Sequence, residues 1–170
     1  MIYKSISGFT KKYAEWIAED CKADLFESTA ISQEMLSDYS VIIFGGSLHA
    51  VGINGIKLLK KNLPSLADKK IIVFAVGASP PKDGIMDEIS ENNFSDLEHA
   101  KIKLFYLRGG FNFKKLNFSN KILMAFYRIR IILKKNKTPD EIGMLAAYSK
   151  PMDFTKKESI KPISKYVQSL

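Results

Sequence analysis

The sequence predicts an α/β fold, a doubly wound five-stranded parallel sheet with helices on both faces. Short apolar runs rich in β-branched residues alternate along the chain with segments of helical periodicity. Loops of small residues follow three of these runs, as expected where parallel strands present their carboxyl ends to a ligand. The length of 170 residues fits a single domain over 1–170 with a sizeable core.

Five runs are predicted as strands because they are short, apolar and rich in branched side chains. These runs lie at 2–3, 23–26, 41–44, 71–76 and 102–107. Helical patterns fill the intervals at 10–21, 32–38, about 52–63 and about 83–93. A last helix is predicted over about 156–169, with Thr155 as its N-cap and Glu158 completing a capping box.

The loop at 5–10, with the sequence SISGFT, joins the first strand to the first helix. N–H groups at a helix start attract an anion, and the helix dipole adds to that attraction. Gly8 lets the backbone approach closely, while Ser5, Ser7 and Thr10 add side-chain donors. No lysine follows the glycine as in a P-loop and no G-x-G-x-x-G is present, which excludes a Walker NTPase and a dinucleotide fingerprint. The structural alternative is a helix N-cap formed by Ser7 or Thr10.

Two further small-residue loops follow the third and fourth strands. Their sequences are GGSLHAVG at 45–52 and GASPP at 77–81. Taken singly, each loop is equally well explained by turn chemistry. Three such loops at the carboxyl edge of one sheet favour a binding site.

Charge and composition limit the kinds of partner and site that this chain can have. The net charge of +8 is concentrated in 101–137, which holds eleven Lys and Arg and no Asp or Glu. The single cysteine, Cys21, excludes a disulfide framework, and His49 and His99 are too few and too far apart to suggest a metal site. No secretory signal precedes the first motif and no run is long enough to span a membrane, so a cytoplasmic location is expected.

A basic and apolar segment at about 108–140 is predicted as a helical insertion after the fifth strand. Its helix has Ser119 or Asn120 as candidate N-cap, and one face carries Phe126 together with Ile122, Ile129 and Leu133. We expect the Phe126 face to pack between the sheet and its neighbours. The opposite side also carries apolar residues, namely Leu123, Met124, Tyr127 and Ile131.

Three partners compete for the remaining apolar side of 119–136. An anionic membrane interface suits an apolar helix flanked by Lys and Arg. A protein partner or a dimer contact is the second interpretation, and the oligomeric state stays open. Nucleic acid ranks last because neither a stacking platform nor a groove-reading motif appears.

The chain resembles the flavodoxin family, whose T-x-T-G-x-T flavin-phosphate loop is similar to the loop at 5–10 with serine at positions 5 and 7. It resembles more closely the flavodoxin-domain branch that contains the menaquinone-dependent protoporphyrinogen oxidases. The stretches that carry this resemblance are KSISGFTKKYA at 4–14, YLRGGFNF at 106–113, GMLAAY at 143–148 and KPMDFT at 150–155.

The resemblance implies a flavodoxin-like strand order and noncovalently bound FMN. Five residues are then expected at the flavin phosphate, namely Ser5, Ser7, Gly8, Phe9 and Thr10. The flavin ring is expected between the loops 46–51 and 77–80. The residues expected at the ring are Gly46, Ser47, Leu48, His49, Ala50, Gly77, Ala78, Ser79 and Pro80.

The resemblance also implies an activity in which electrons pass from a reduced substrate through FMN to a membrane quinone. The substrate is expected to be an anionic porphyrinogen, steered by Arg108, Lys114 and Lys115. The helix at 119–136 is then expected to contact the inner face of the cell membrane. No catalytic side chain is assigned, since the cofactor carries the chemistry.

Two other functions stay open. A flavodoxin-type electron carrier has the same fold, although such carriers usually dock through acidic surfaces and the segment at 101–137 is basic. A flavin-free binding module of the same fold is the third hypothesis, which the short first strand favours.

Overall fold

A computed structural model describes residues 1–116 and 118–170. Asn117, inside the predicted insertion, and the side chain of Asp140 lie outside the described residues. The strands of the main sheet are β1 Ile2–Lys4, β2 Phe26–Glu27, β3 Val41–His49, β4 Gly52–Ile53, β5 Lys70–Gly77 and β6 Ile102–Arg108. The parallel strands follow the order β2-β1-β3-β5-β6, and β4 pairs antiparallel with the end of β3. This doubly wound order confirms the predicted fold class.

Helices cover both faces of the sheet. Their bounds are α1 Phe9–Cys21, α2 Gln33–Ser37, α3 Ile56–Asn62, α4 Ile85–Asn93, α5 Asp96–His99, α6 Phe118–Leu133, α7 Pro139–Ser149 and α8 Lys161–Gln168. Successive residues of β5 point to opposite faces, so Phe74 packs with α1 and α8 while Val73 packs with α3 and α4. The core therefore consists of two apolar layers, one on each side of the sheet.

The third strand is longer than predicted. The pattern at 45–52 predicts a loop, but β3 continues to His49 and returns through a tight hairpin into β4. Gly45 lies inside the strand. Glycine is required at this position because a Cβ would lie 2.0 Å from Cζ of Phe74. The helix predicted from about 52 consequently begins only at Ile56.

The predicted cap of the last helix is wrong. Thr155 donates hydrogen bonds from its N–H and its hydroxyl to Oδ1 of Asp153, at 2.9 Å and 2.6 Å. A 3-10 turn at Lys157–Ile160 follows, and α8 begins at Lys161. The hydroxyl of Thr155 therefore stabilises a turn that precedes the helix.

A small ladder marks the base of the insertion. The strand β7, Gly110–Phe111, pairs antiparallel with β8, Met152–Asp153, and the chain between them forms a 3-10 turn at Phe113–Lys115 followed by α6 and α7. Because α6 begins at Phe118, Ser119 and Asn120 lie in its first turn and neither is its N-cap. The helix α7 was not predicted, although Thr138 and Glu141 form a capping box at its start. Within the described residues no helix combines the length and the hydropathy needed to cross a membrane.

Candidate functional site

The register of the sheet brings the three predicted loops together. Lys4 of β1 pairs with Gly46 of β3, and Gly46 pairs with Ala75 of β5. Gly77 of β5 pairs in turn with Arg108 of β6. The loop 5–10, the hairpin at 46–50 and the loop 77–80 therefore lie at one edge, where the strands present their carboxyl ends.

The loop 5–10 has the backbone geometry of an anion site. Gly8 is the N-cap of α1 with φ of 94°, a left-handed conformation that favours glycine. Its N–H donates to Oγ of Ser5 at 3.1 Å, and its carbonyl accepts the N–H of Lys12 at 3.0 Å. The predicted N-cap role of Ser7 or Thr10 is wrong, because Gly8 occupies that position without a side-chain cap. N–H groups of the first turn are thus left for an external acceptor.

Two buried hydroxyls in these loops lack partners. Thr10, in the first turn of α1, is 1% exposed, and its Oγ1 has no hydrogen-bond partner. Oγ of Ser47, near the end of β3, is likewise buried and without a partner. A buried polar group left unsatisfied costs about 1–3 kcal/mol, so a ligand that accepts its hydrogen bond is favoured. Both hydroxyls belong to residues predicted for the FMN site, and their chemistry fits an oxygen-rich ligand.

The hairpin at 46–50 presents its tip to solvent. Leu48 pairs with Ile53 and is half-buried, whereas His49 and Ala50 are exposed. Ala50 takes a left-handed φ of 53° in the turn. Gly46 has a packing role, because a Cβ there would lie 2.4 Å from Cγ2 of Ile53. Of the predicted ring contacts in this hairpin, His49 and Ala50 are therefore the accessible ones.

Two side chains from the end of β6 hold the loop 77–80. The hydroxyl of Tyr106 donates to the carbonyl of Ser79 at 2.6 Å, and burial raises the pKa of this phenol, so it stays protonated at neutral pH. Nε of Arg108 donates to the carbonyl of Ala78 at 3.5 Å. Gly77 is required here, since a Cβ would lie 2.5 Å from the Tyr106 hydroxyl oxygen. Ser79 and Pro80 remain exposed.

The positioning role of Tyr106 was not predicted from the sequence. The signal was available in the alternation of β6, which places Tyr106 and Arg108 on the same face at the strand end. The guanidinium of Arg108 is further fixed over the ring of Phe154, at 3.8 Å from its centroid. Arg108, predicted only as a steering charge, therefore also orders the loop edge.

The base of the insertion packs directly on the loop 5–10. The ring of Phe9 lies against the backbone of Gly110, where a Cβ would approach Cζ of Phe9 to 2.7 Å. Nζ of Lys12 forms an ion pair with Oδ2 of Asp153 at 2.9 Å. Nζ of Lys115 lies 3.9 Å from the position that a Cβ of Gly8 would occupy. Since Lys115 and Gly8 are distant in sequence, no local pattern could indicate this contact.

The predicted burial of the Phe126 face is wrong. The side chain of Phe126 is 68% exposed, whereas Ile131, on the opposite side of α6, is 1% exposed. The hydroxyl of Tyr148 in α7 donates to the carbonyl of Met124 at 2.5 Å, which places α7 against that opposite side. The sheet offers no place for the Phe126 face, because other helices already cover both sheet layers.

Five exposed residues of α6 share one helical face, at spacings of three or four residues. We call this face the apolar stripe; it consists of Phe118, Ile122, Phe126, Ile129 and Leu133. By the helical spacing, Lys121 and Arg128 flank the stripe on one side and Arg130 flanks it on the other. The stripe is therefore an exposed apolar surface bordered by positive charge.

A protein-family model described as a flavodoxin domain matches residues 1–140. The two-electron reduced flavodoxin of Megasphaera elsdenii is similar at 15% identity and a TM-score of 0.42, over 62% of this chain and 82% of that chain. The Trp repressor binding protein from Bacillus subtilis is similar at 20% identity and a TM-score of 0.46, over 80% of this chain and 97% of that chain.

A third solved structure covers nearly the whole chain. Rubredoxin oxygen:oxidoreductase from Desulfovibrio gigas is similar at 14% identity and a TM-score of 0.46, over 99% of this chain and 35% of that chain. No curated protein matches this chain.

Proposed function

The chain belongs to the flavodoxin-domain family, and on that premise we propose that it is an FMN-dependent oxidoreductase resembling the menaquinone-dependent protoporphyrinogen oxidases. One observation carries the cofactor part of this proposal. The buried hydroxyl of Thr10 lacks a partner in the first turn of α1, two residues after the left-handed Gly8. An oxygen-rich anion at this turn satisfies both the hydroxyl and the open N–H groups.

The chain's own residues bind and orient the cofactor. Bound FMN supplies the transfer of an electron pair from a reduced substrate to a quinone. The phosphate is assigned to the loop 5–10, through Ser5, Ser7, Gly8, Phe9 and Thr10. The ring is assigned to two segments, Gly46, Ser47, Leu48, His49 and Ala50 in the hairpin and Gly77, Ala78, Ser79 and Pro80 in the second loop. Tyr106 and Arg108 fix the second loop through their hydrogen bonds to its carbonyls.

The apolar stripe supports a peripheral membrane contact through 119–136. Exposed apolar side chains flanked by Lys121, Arg128 and Arg130 suit the interface of an anionic bilayer. The segment 101–137 contains no carboxylate side chain that would repel anionic lipid. A quinone dissolves in the bilayer, so binding through this helix brings the redox site to its acceptor.

An anionic porphyrinogen is the proposed electron donor. Arg108 lies at the carboxyl edge of the sheet, and Lys114 and Lys115 lie in the turn that leads to α6. A cluster of cations at the site edge raises the local concentration of a carboxylated substrate. The proposed carboxylate contacts are thus on the same side of the molecule as the loop 5–10, where Lys115 approaches Gly8.

The visible spectrum of the purified protein, before and after addition of FMN, is the first test. Bands of oxidised flavin, released as FMN on denaturation, support the cofactor assignment. A protein that stays colourless with added FMN contradicts it and favours the flavin-free binding module.

The second test measures oxidation of a porphyrinogen with a menaquinone analogue, in the presence of anionic vesicles. Quinone-dependent turnover supports the oxidase. Rapid one-electron exchange with a ferredoxin reductase, without porphyrinogen turnover, favours a flavodoxin-type carrier.

Charge reversal of Arg128 and Arg130 separates the membrane role from the cofactor role. We expect Arg128→Glu with Arg130→Glu to weaken co-sedimentation with anionic vesicles while FMN stays bound, since neither residue belongs to the loops assigned to the cofactor. Unchanged co-sedimentation of the double variant would contradict the membrane role.

A further inference from the structure

We propose that Lys115 is a cationic ligand of the flavin phosphate, contributed by the insertion to the loop 5–10, so that Arg108 and Lys114 are left to attract the substrate. This inference rests on the proposed FMN function and adds a residue that lies outside the loop. Its starting point is the position of Nζ of Lys115, 3.9 Å from where a Cβ of Gly8 would lie. The ammonium group therefore stands directly beside the glycine at the start of α1.

The surroundings of this ammonium favour an external anion. Among the described residues, no carboxylate lies within 4.0 Å of Nζ of Lys115, and the first turn of α1 carries no acidic residue. The carboxylate of Asp153, on the strand that pairs with β7, is already paired with Lys12 at 2.9 Å. The charge of Lys115 is thus uncompensated at a point where the N–H groups of α1 add positive potential.

The buried hydroxyl of Thr10 is the independent observation that points to a ligand. Its Oγ1 is buried and has no partner, although it lies in the same turn as the open N–H groups. A phosphate monoester offers enough oxygen acceptors for the hydroxyl, the N–H groups and the ammonium together. An ammonium–phosphate contact is a charge-assisted hydrogen bond, roughly twice as strong as a neutral one.

The local structure positions Lys115 for this role. It ends the 3-10 turn Phe113–Lys115, which Asn112 caps by accepting the N–H of Lys114 at its Oδ1, 3.1 Å away. The strand β7 before this turn is packed against the ring of Phe9. The strand before the turn is therefore in contact with the loop 5–10. This contact places Lys115 where its side chain reaches Gly8.

The test is titration of FMN and of riboflavin, which lacks the phosphate, into the wild type and three variants. We expect Lys115→Ala to weaken FMN binding about tenfold at low ionic strength and less at high salt. Riboflavin affinity is expected to stay unchanged, and Lys115→Arg to retain most of the FMN affinity. Lys114→Ala is the matched control, because it removes the same charge from the adjacent residue; its FMN affinity should equal that of the wild type.

Three results would overturn the proposal while leaving the FMN function intact. One is equal FMN affinity in the wild type and Lys115→Ala, and another is an equal loss in Lys115→Ala and Lys114→Ala. An equal loss for riboflavin and FMN also overturns it, because the effect then does not involve the phosphate. A wild type that binds neither flavin overturns the proposed function and this inference together. Thermal unfolding of each variant checks that the exposed substitutions leave the fold intact.

Discussion

The helices α1 and α6 have similar lengths, 13 and 16 residues, and each carries an apolar face, yet only α1 has that face covered by protein. Tyr13 and Ile17 of α1 are fully buried between the sheet and α8. The corresponding positions of α6, such as Phe126, are exposed. The same sequence signal therefore has opposite structural outcomes in the two regions.

This contrast shows that packing within the chain does not account for the apolar face of α6. Burial of apolar surface stabilises a fold, and the apolar stripe of α6 gains little of that stabilisation within this chain because its side chains stay largely exposed. The side of α6 with Ile131 is sufficient to attach the helix to α7. An exposed apolar patch of this kind is typical of an interaction surface, which is the role we propose for the stripe, whereas the apolar face of α1 belongs to the core.

Matched isoleucines test this division most strongly. Ile17 is 0% exposed and Ile129 is 53% exposed. We expect Ile17→Ala to lower the free energy of unfolding by about 2–5 kcal/mol, because it leaves a cavity in the core. Ile129→Ala should change it by less than about 0.5 kcal/mol, as at other surface positions. Urea unfolding of both variants measures the contrast, and a similar loss in both would show that the stripe is buried in solution.

Local pattern was sufficient for most of the main sheet. The run predicted at 71–76 lies within β5, because its branched apolar residues suit a strand that is buried on both faces. The loop predicted at 45–52 is wrong up to His49, since Gly45, which resembles a turn glycine in sequence, is required by the ring of Phe74 packing over β3. That requirement is tertiary and leaves no local signal.

The candidate site was predictable only in its loops. Hydroxyls and a glycine between a strand and a helix predicted the geometry around Gly8, and the strand order placed the other loops beside it. Periodicity identified the apolar face of α6 but not which side α7 would cover. The approach of Lys115 to Gly8 depends on how the insertion folds back, which no pattern in either segment encodes.

Removal of apolar side chains from the stripe tests whether α6, unlike α1, uses its apolar face to bind a membrane. We expect Phe126→Ala with Ile129→Ala to weaken binding to anionic vesicles by roughly tenfold or more, because two large side chains no longer enter the interface. Leu97→Ala in α5 is the control, since Leu97 is 81% exposed but lies outside the insertion. Flotation with vesicles measures the partition, and an equal loss in the control would contradict a specific role of the stripe.

Gly8→Ala tests the start of α1, with Gly84→Ala at the start of α4 as its matched control. Both glycines are N-caps with left-handed φ, 94° and 73°, and neither Cβ would meet a close contact. Each variant should lose about 1–2 kcal/mol of stability through backbone strain alone. Only Gly8→Ala should also weaken FMN binding, because it alone alters the loop 5–10. Equal FMN affinity in the two variants would contradict the assignment of the phosphate.

The ion pair between Lys12 and Asp153 joins the two regions, and its pH dependence gives the smallest effect. Burial opposes ionisation of Asp153, but hydrogen bonds from Thr155 and Lys12 outweigh it and hold the pKa of this carboxyl below its usual value. A lowered pKa in the folded state stabilises the protein above the unfolded pKa of about 3.9, and this contribution is lost as the pH falls through the folded pKa.

Because both side chains are about half exposed, we expect Asp153→Asn to cost less than about 1 kcal/mol at pH 6. The difference from the wild type should shrink as the pH falls from about 4 towards 2, where the wild-type carboxyl also becomes neutral. Urea unfolding of both proteins across this range measures the difference. A difference that stays constant with pH would show that Asp153 stabilises the base of the insertion through its shape and hydrogen bonds. Its negative charge would then contribute nothing through its ion pair with Lys12 of α1.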